Sequence, residues 1–453
     1  MMKILIVGCG KIGSTVLASL TAEGHDITAV EIDRDLLDEI TNVYDVMGVC
    51  GNGADCDTLA EAGVADAEMF IAVTGSDELN MLACYLAGRM GARHTIARIR
   101  NPEYNDKSLN FMKQELGLSM AINPELLAAR ELFHALKLPS AAKIETFSRG
   151  NFEMIELHLK EDSPLLDVPL YELRNRYNAK FLICVVQRGE EVYIPDGNFV
   201  LQAGDRIGLT ASPTEIQKLM RAMGMASKQA RDVMILGGSR TAFYLAKRLL
   251  AAGTDVKIID RDRALCEDLC EVLPKAVVIH GDGSHQELLT EEGIRDMDAF
   301  VALTGMDEQN ILLSFFASSQ DVSKTIAKIN RPELAAMASR LGLDCIVSPR
   351  KLIADVLVRY ARALHNSMGS TIETLYTLMD DQAEAVEFLV QDEPKLVNIP
   401  LKDLSLKPNI LIAGIIRNRK PIIPAGDDCI LAGDKVVLLV AGQHLQELRD
   451  ILK

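Results

Sequence analysis

The fold is decided near the start of the chain by the stretch KILIVGCGKIG at residues 3–13. An apolar run of strand length leads directly into three glycines spaced as G-x-G-x-x-G, and a helical pattern continues to Gly24. The next apolar run ends at Glu31, so an acidic residue follows the glycines by about 20 positions. A glycine turn between a strand and a helix, with an acid at the end of the second strand, is typical of the first βαβ unit of a doubly wound parallel sheet. The stretch therefore predicts an α/β fold.

The same unit occurs twice in the chain. The segment FIAVTGSDELN at residues 70–80 returns as FVALTGMDEQN at residues 300–310, an offset of 230 residues. The repeat continues to the end of both halves, because AGDR at residues 203–206 corresponds to AGDK at residues 432–435. A repeat of this length predicts two halves of the same fold.

Each half combines two patterns of hydrophobicity. In its first part, short apolar runs alternate with amphipathic helical stretches, which predicts a Rossmann-like, doubly wound parallel sheet. In its second part, short strands surround turns rich in Pro, Asp and Gly, which predicts a small α+β domain. The expected boundaries are 1–137 for the first Rossmann-like domain, 138–222 for the first small domain, 223–230 for a linker, 231–366 for the second Rossmann-like domain and 367–453 for the second small domain.

The glycine loop of the first half is the strongest candidate for a ligand site. Glycines permit a tight turn there and let backbone N–H groups approach a pyrophosphate, which sits at the positive N-terminus of the helix. After a strand and before a helix, the motif indicates a dinucleotide or adenosine-type ligand. The other interpretation is that the glycines only form the turn from strand to helix. The candidate residues of the loop are Gly8, Cys9, Gly10, Lys11, Ile12 and Gly13.

An acidic residue is expected to bind the ribose. Glu31, at the end of the second strand, is placed to accept hydrogen bonds from the ribose hydroxyls. A carboxylate there repels a 2′-phosphate, so NAD is favoured over NADP. Asp33 is the nearby alternative for the same role. If the glycine turn is only structural, Glu31 is simply a solvated strand end.

Further candidates are expected at the carboxyl edge of the same sheet. Asn52 follows the third strand and either meets the adenine or only forms a turn. Thr74 follows the fourth strand and either lines the ligand or belongs to the start of a helix, which Asp77 would cap. Arg98 and Arg100 alternate along the next strand and so point to one side. On that side they suit phosphates, a neighbouring subunit or solvent.

The second half departs from the glycine motif. Its aligned segment reads GGSRTA at residues 237–242, so Ser239 and Ala242 replace the second and third glycines. A serine Cβ is unfavourable where the backbone must approach a pyrophosphate. Asp260 nevertheless takes the ribose position and Asp282 the adenine position. We expect full dinucleotide binding in the first half, and weaker, different or absent binding in the second.

Charge and hydrophobicity exclude other kinds of partner. The net charge of −16, without a run of Lys and Arg, argues against nucleic acid. The longest apolar runs have strand length, too short for a membrane span, and the N-terminal run leads into a strand rather than a signal peptide. We therefore expect a cytoplasmic protein that reaches a membrane only through another protein. The nine cysteines and eight histidines show no metal-ligand spacing.

The order and duplication of these motifs resemble a known family. The glycine loop, EID at residues 31–33, TGSDELN at residues 74–80 and ARIR at residues 97–100 are similar, with their second-half counterparts, to the tandem regulator-of-potassium-conductance (RCK) architecture. The resemblance covers the whole chain. It points to the cytosolic TrkA-type subunits of bacterial and archaeal Trk potassium-uptake systems.

This resemblance implies a regulatory subunit. It implies N-terminal domains that bind NAD(H) or ATP/ADP, with Gly8, Gly10, Gly13 and Glu31 at the pyrophosphate and ribose and the two arginines as anion contacts. It also implies a homo-oligomeric ring, expected to be a tetramer, that docks peripherally at the inner face of the cell membrane. The implied partner there is an integral-membrane potassium-translocating subunit, and no catalytic residue is implied.

Two other functions fit the same residues. An NAD-dependent oxidoreductase needs a substrate domain and a proton donor or acceptor beside the nicotinamide, and His94 and His134 are the candidates. Their sequence neighbours include no partnered acid, and only a small domain follows each Rossmann-like domain, so an enzyme is the weaker interpretation. The third function is a stand-alone nucleotide sensor without a membrane partner.

Overall fold

The computed structural model describes residues 1–104, 106–137, 143–224, 230–343, 345–366, 372–379, 382–391, 395–443, 445 and 447–453. Across these residues the chain forms two parallel and two antiparallel sheets, in the alternating order expected from the sequence. Among the described helices, none combines the length and the hydrophobicity of a membrane span. The domain boundaries stay predictions, because the residues next to them lie outside the described part of the chain. These are residues 138–142, residues 225–229 of the expected linker and residues 367–371.

The first part of the chain is a six-stranded parallel sheet with helices on both faces. Its strand order, β3-β2-β1-β4-β5-β6, is that of a dinucleotide-binding fold. The central strands are buried almost throughout because both faces are covered. The elements are β1 (Lys3–Val7), α1 (Lys11–Ala22), β2 (Asp26–Glu31), α2 (Arg34–Val43), β3 (Met47–Cys50), α3 (Cys56–Glu61), β4 (Met69–Ala72), α4 (Asp77–Met90), β5 (His94–Arg98), α5 (Asp106–Glu115), β6 (Met120–Ile122) and α6 (Pro124–Lys137).

A small antiparallel sheet follows, in the order β10-β9-β11-β8-β7. Neighbouring strands are antiparallel throughout, and short turns join β7 to β8 and β9 to β10, whereas helix α7 lies in the connection from β8 to β9. Two helices pack against one of its faces. The elements are β7 (Lys143–Phe147), β8 (Phe152–His158), α7 (Leu170–Tyr177), β9 (Phe181–Arg188), β10 (Glu191–Tyr193), β11 (Arg206–Ala211) and α8 (Pro213–Ala222).

The second half repeats this architecture. Its parallel sheet has the order β14-β13-β12-β15-β16-β17, which matches the first sheet strand by strand. The elements are β12 (Asp232–Leu236), α9 (Arg240–Ala251), β13 (Asp255–Asp260), α10 (Arg263–Val272), β14 (Val277–His280), α11 (Gln286–Glu291), β15 (Ala299–Ala302), α12 (Asp307–Ser319), β16 (Lys324–Lys328), α13 (Pro332–Arg340), β17 (Cys345–Val347) and α14 (Pro349–Asn366).

The second small sheet has the order β18-β19-β22-β20-β21, again the same arrangement as the first. Short 3-10 turns at Leu401–Asp403 and Leu448–Ile451 stand where the first small domain has its helices. The expectation of two Rossmann-like domains, each followed by a small α+β domain, is therefore confirmed. The strands are β18 (Ile372–Leu378), β19 (Ala383–Leu389), β20 (Ile410–Arg417), β21 (Lys420–Ile422) and β22 (Lys435–Ala441).

Each small sheet contains the same ion pair, between a half-buried arginine and a buried aspartate. Arg188 donates from Nε and Nη2 to the two carboxylate oxygens of Asp205, both at 2.8 Å. Arg417 and Asp434 repeat this geometry in the second half. Both carboxylates are almost fully buried and also accept a backbone N–H from the turn before them. The Ala-Gly-Asp turns of the repeat are thus tied to the neighbouring strand by bidentate hydrogen bonds.

The two parallel sheets exchange helices. Leu132 of α6 is fully buried in the core of the second Rossmann-like fold, among residues of β12 and α9. Leu357 of α14, at the equivalent position, is fully buried against β1 and α1 of the first fold. Each half therefore completes its core with a helix from the other half, and neither core is closed without this exchange.

The two small sheets pack face to face. Phe152 of β8 and Val185 of β9 share a buried apolar cluster with Ala385 of β19 and Leu439 of β22. The hydroxyl of Thr210 donates to the carbonyl oxygen of Ala413 at 3.0 Å, a hydrogen bond from one sheet to the other. The halves are thus joined at both ends, through helices at the parallel sheets and through sheet faces at the small domains.

We expect Leu357→Ala to destabilise the first Rossmann-like fold, although Leu357 belongs to the second half. Truncating a fully buried leucine leaves a cavity and costs about 2–5 kcal/mol of the free energy of unfolding. Hydrogen exchange should therefore accelerate in β1 and α1 and change little in β12. Leu132→Ala is the matched variant and should produce the opposite pattern. Equal acceleration in both folds for both variants would contradict the helix exchange.

Candidate functional site

A cavity of about 1020 Å³ opens at the carboxyl edge of the first parallel sheet. It lies beyond β1 and β4, where the strand order reverses, which is the usual ligand position in doubly wound sheets. Part of its wall comes from the second half of the chain. Of the predicted site residues, the structure brings ten to this cavity, namely Gly8, Gly10, Lys11, Ile12, Glu31, Asp33, Asn52, Thr74, Arg98 and Arg100.

The three glycines of the loop have different tasks. Gly8 has a φ of +90°, and a Cβ on it would lie 2.9 Å from the backbone of Thr74. A Cβ on Gly13 would lie 1.9 Å from the carbonyl oxygen of Gly8. Gly10, in contrast, has a φ of −60° and no described atom within 4 Å of the position that its Cβ would take. The fold thus needs Gly8 and Gly13, whereas the missing side chain at Gly10 leaves space for a ligand.

The N-terminus of α1 is open toward the cavity. Gly10 is its N-cap, and no side chain of the described residues caps the first turn. In the second half, Ser239 takes the N-cap position of α9, and its hydroxyl accepts a hydrogen bond from the backbone N–H of Ala242. Free N–H groups at a helix N-terminus bind anions well. The first-half helix therefore fits a phosphate, and the second-half helix satisfies one of those donors with its own serine.

Glu31 holds the glycine loop in place. Its Oε2 accepts the backbone N–H of Cys9 at 2.6 Å, and its Oε1 accepts that of Ile32 at 2.8 Å. Asp33 is the N-cap of α2 and accepts two backbone N–H groups of that helix. Both carboxylates line the cavity while they organise its backbone.

Cys9 does not reach the cavity with its side chain. The side chain is fully buried beneath the loop, and the residue is outside the cavity wall. Burial, together with the negative charge of Glu31, raises the pKa of the Cys9 thiol to about 12. The thiol is therefore neutral at physiological pH, and Cys9 contributes its backbone N–H to the loop.

Two predicted side chains are engaged in local hydrogen bonds. The Oδ1 of Asn52 accepts the backbone N–H of Ala54 at 3.0 Å, which is turn chemistry, and Asn52 also lines the cavity. The hydroxyl of Thr74 donates to Oδ1 of Asn80 at 2.7 Å, and Asn80 donates to the carbonyl oxygen of Arg98 at 2.9 Å. These hydrogen bonds join the ends of β4 and β5. Thr74 therefore has a structural role as well as a place in the cavity wall.

Asp77 does not cap α4, contrary to the expectation from the sequence. Ser76 is the N-cap and accepts the backbone N–H of Leu79. Asp77 is buried, and its Oδ2 accepts the backbone N–H groups of Arg100 and Asn101, both at 2.8 Å. It fixes the loop after β5, because a serine one residue earlier already satisfies the helix terminus.

The two predicted arginines reach the cavity by different routes. β5 ends at Arg98, so the expectation that Arg100 lies on the same strand is wrong. Arg98 is buried, and its Nε has no hydrogen-bond acceptor among the described residues. Burial and the charge of Arg100 lower the pKa of Arg98. Arg100 contacts the carbonyl oxygen of Gly75 at 3.2 Å and lies 3.7 Å from a carboxylate oxygen of Glu125.

The second half supplies cations that the sequence reasoning missed. Arg240, Lys328 and Arg350 line the cavity together with the first-half residues. Lys328 corresponds to Arg98 at the repeat offset, which is the signal that could have found it. Burial lowers the pKa of Lys328, although the nearby carboxylates of Asp307 and Glu125 act in the opposite direction.

The cavity is electropositive within an acidic protein. Among the described residues that line it, six carry a positive charge and three a negative charge. The chain as a whole has a net charge of −16. Concentrated positive charge with incomplete pairing favours a polyanionic ligand. The cations are Lys11, Arg98, Arg100, Arg240, Lys328 and Arg350, and the acids are Glu31, Asp33 and Glu125.

Other predicted residues lie outside this cavity wall. Asp260 repeats the role of Glu31, since it accepts the backbone N–H of Gly238 at 2.6 Å. Asp282 accepts the backbone N–H of Ser284, which lowers its pKa. The ring Nδ1 of His94 lies 3.4 Å from the hydroxyl of Tyr360, and His134 is an exposed residue of α6. Gly13 packs behind the loop.

Comparison with known families matches all four parts of the chain. The TrkA-N domain matches residues 4–124 and 233–349, and the TrkA-C domain matches residues 154–224 and 385–453. The chain is similar to a Trk system potassium uptake protein TrkA homolog of Archaeoglobus fulgidus, with 31% identity over 452 residues and 100% coverage of both chains.

Solved structures share the fold of the whole chain. One is a crystal structure of the GsuK RCK domain, with a TM-score of 0.63, 19% identity and coverage of 97% of this chain and 92% of that one. Another is a GsuK channel bound to NAD, with a TM-score of 0.62, 18% identity and coverage of 97% and 77%. With matching domains in both halves and a relative aligned from end to end, the chain belongs to the TrkA family.

Proposed function

We propose that this chain is the cytoplasmic, nucleotide-binding regulatory subunit of a Trk-type potassium-uptake system. It docks peripherally at the inner face of the cell membrane and controls potassium transport through an integral-membrane partner, in response to NAD(H) or ATP/ADP. It catalyses no reaction. The observation that carries this proposal is the cavity in which the open N-terminus of α1 faces cations from both halves.

The cavity suggests one pose for the nucleotide. The phosphates lie in the open space at Gly10, against the N–H groups of α1. The ribose hydroxyls donate to Glu31 or Asp33, and the adenine lies near Asn52. Arg98 and Arg100 then serve the phosphates. Asp260 and Asp282 would serve only a weaker ligand of the second half, where Ser239 occupies the helix N-terminus.

The names of similar proteins support the same assignment. The Archaeoglobus fulgidus relative is named a potassium uptake protein, and one GsuK channel of this fold is bound to NAD. A regulatory function also gives a reason for the two linked halves. A ligand shifts the equilibrium between two conformations of a protein only if it binds one conformation more tightly than the other. A cavity shared by two domains offers such a difference whenever the domains move.

We expect the wild type to bind NADH, NAD, ATP or ADP, and Gly10→Glu to lose this binding. The new carboxylate fills the open space at the α1 terminus and repels the phosphates. Calorimetric titration measures the affinity, and absorbance of the same samples follows NADH oxidation with candidate substrates. Binding without turnover is the expected result for a regulator.

The matched control for that experiment is Gly305→Glu. Gly305 also has open space at its Cβ position, is exposed and lies outside the cavity wall, so the same charge is added away from the first-half cavity. Its nucleotide affinity should stay at the wild-type value. Steady NADH oxidation by the wild type would instead favour the alternative function, an NAD-dependent oxidoreductase.

The cations of the second half should make the affinity depend on the number of phosphates in the nucleotide. We expect Arg240→Gln to weaken ATP binding much more than AMP binding, because Arg240 lines the cavity near enough to interact electrostatically with Arg98, which we assign to the phosphates. A charge-assisted hydrogen bond contributes about 1.5–3 kcal/mol, which corresponds to a loss of affinity of roughly 10- to 100-fold. Titrations of both nucleotides at one fixed ionic strength measure the effect.

Arg263→Gln is the control for Arg240→Gln, since it removes an exposed positive charge of the same half outside the cavity wall. It should leave both affinities unchanged. If Arg240→Gln weakened ATP and AMP equally, or weakened neither, Arg240 would not contact the outer phosphates.

Self-association is part of the proposal. Leu82 of α4 is 49% exposed and Leu312 of α12 is 69% exposed, and the two occupy equivalent positions of the repeat. A single exposed leucine is ordinary, but its duplication gives each copy two similar apolar helix faces. Contact of α4 in one copy with α12 of the next is a head-to-tail contact, which closes into a ring when the rotation permits. A homotetramer is the expected ring.

We expect the double variant Leu82→Asp, Leu312→Asp to dissociate this oligomer, because carboxylates would replace the apolar contact on both faces. Light scattering coupled to gel filtration measures the mass. Tyr171→Asp, a change at a residue of the first small domain that is 57% exposed, is the control and should keep the wild-type mass. A wild type that is monomeric at micromolar concentration would refute the ring.

A further inference from the structure

A buried cluster of three charged side chains joins separate parts of the fold. Arg362 of α14 donates from Nε and Nη2 to the two carboxylate oxygens of Glu23, at 2.5 and 2.6 Å. It also donates from Nη1 and Nη2 to those of Glu384, at 3.2 and 3.0 Å. The side chains of Arg362, Glu23 and Glu384 are only 11%, 18% and 4% exposed. One guanidinium thus holds two carboxylates away from solvent.

The three residues belong to three different structural units. Glu23 is the C-cap of α1, the helix whose N-terminus opens into the cavity. Arg362 lies on α14, which comes from the second half and packs on the first Rossmann-like fold. Glu384 lies on β19, in the second small domain. Since α1 is a single helix of 12 residues, its two ends move together, and the cluster is where that motion meets the small domain.

The repeat lacks Glu23. Ala252 is the C-cap of α9 and takes the corresponding place in the second half. The same helix begins at Ser239, which caps its own N-terminus. Helix α1, whose N-terminus is open, therefore carries the acidic residue at its C-terminal end. Helix α9, whose N-terminus is capped by its own serine, does not. The open N-terminus and the acidic C-cap thus occur together on α1 and are both missing from α9. This indicates that ligand binding at one end of α1 is coupled to the cluster at the other end.

Short, buried hydrogen bonds are suited to transmit a displacement. Burial opposes the charge of Arg362, but the hydrogen bonds that Arg362 donates to Glu23 and Glu384 outweigh burial and raise the pKa of Arg362 above its ordinary value. The guanidinium is thus always charged, and leaving either carboxylate unpaired in this setting is costly. A shift of α1 has to move α14 and β19 with it or break the cluster.

We propose that Arg362 couples nucleotide occupancy of the first-half cavity to the second small domain, by clamping the far end of α1 to β19. The inference rests on the proposed nucleotide binding and adds the route by which the small domain responds. Arg362 acts as a positioning residue, because it lies outside the cavity wall and touches no ligand position. The nucleotide thereby changes the stability of β19 at a distance from its own contacts.

Hydrogen exchange of the full-length protein, with and without ATP or NADH, tests the coupling. In the wild type, saturating nucleotide should slow exchange in α1 and also in β19, the latter by about fivefold or more, the low end of ordinary allosteric coupling. In Arg362→Met, titration should still show nucleotide binding and α1 should still be protected, but exchange in β19 should no longer depend on the nucleotide. Nucleotide-dependent protection of β19 that persists in this variant overturns the proposal.

A second uncoupling variant and a control variant complete the test. Glu23→Ala installs the residue that the repeat itself has at this position and should uncouple β19 in the same way, even if Arg362→Met fails to fold. Arg206→Met is the control, because it also leaves a glutamate that is 4% exposed, Glu156, without its arginine, but within the first small domain. It should retain the wild-type response. Uncoupling by Arg206→Met to the same extent would mean general destabilisation and overturn the specific role of Arg362.

The result separates this inference from the proposed function. A wild type that binds no nucleotide refutes the proposed function and the coupling together. A wild type that binds nucleotide, protects α1 and leaves β19 unchanged refutes the coupling alone.

Discussion

The exchange of α6 and α14 is the interaction on which the rest of the structure depends. Their apolar faces close the core of the opposite half through Leu132 and Leu357. Their first residues, Pro124 with Glu125 and Pro349 with Arg350, line the cavity. The packing that stabilises the two folds therefore also sets the distance between the two walls of the site. Hydrophobic burial supplies the energy of this arrangement, and the charged groups of the cavity are positioned by it.

Local sequence patterns were sufficient to predict the sheets. The strand, glycine turn and helix around Gly8 are encoded within about a dozen neighbouring residues, and backbone sterics leave few alternatives for such a stretch. The internal offset then predicted the second sheet without further argument. The positions of Gly10, Glu31 and Asn52 at one edge followed as well, because the carboxyl ends of parallel strands share one side of a sheet.

The second wall of the cavity could not be predicted in this way. An amphipathic helix such as α6 requires an apolar surface, but its pattern does not say whether that surface belongs to its own half or to the other. The spacing of Arg240 and Arg350 in the sequence therefore did not indicate that they line the same cavity as the glycine loop. The alternating pattern extends β5 to Arg100, because alternation marks strand ends poorly. In the structure the strand ends at Arg98, and Asp77 holds the loop that follows.

The serine at position 239 also has a consequence for stoichiometry. A cleft between two identical folds would present two open glycine loops, and their ligands would crowd phosphates into one electropositive space. Here the two loops differ in sequence, and Ser239 satisfies a donor that a second phosphate would need. Under the proposed function each chain then takes one nucleotide at this cleft, so binding within a chain follows a simple hyperbola. Any sigmoidal response to nucleotide would then have to arise between chains of the proposed ring.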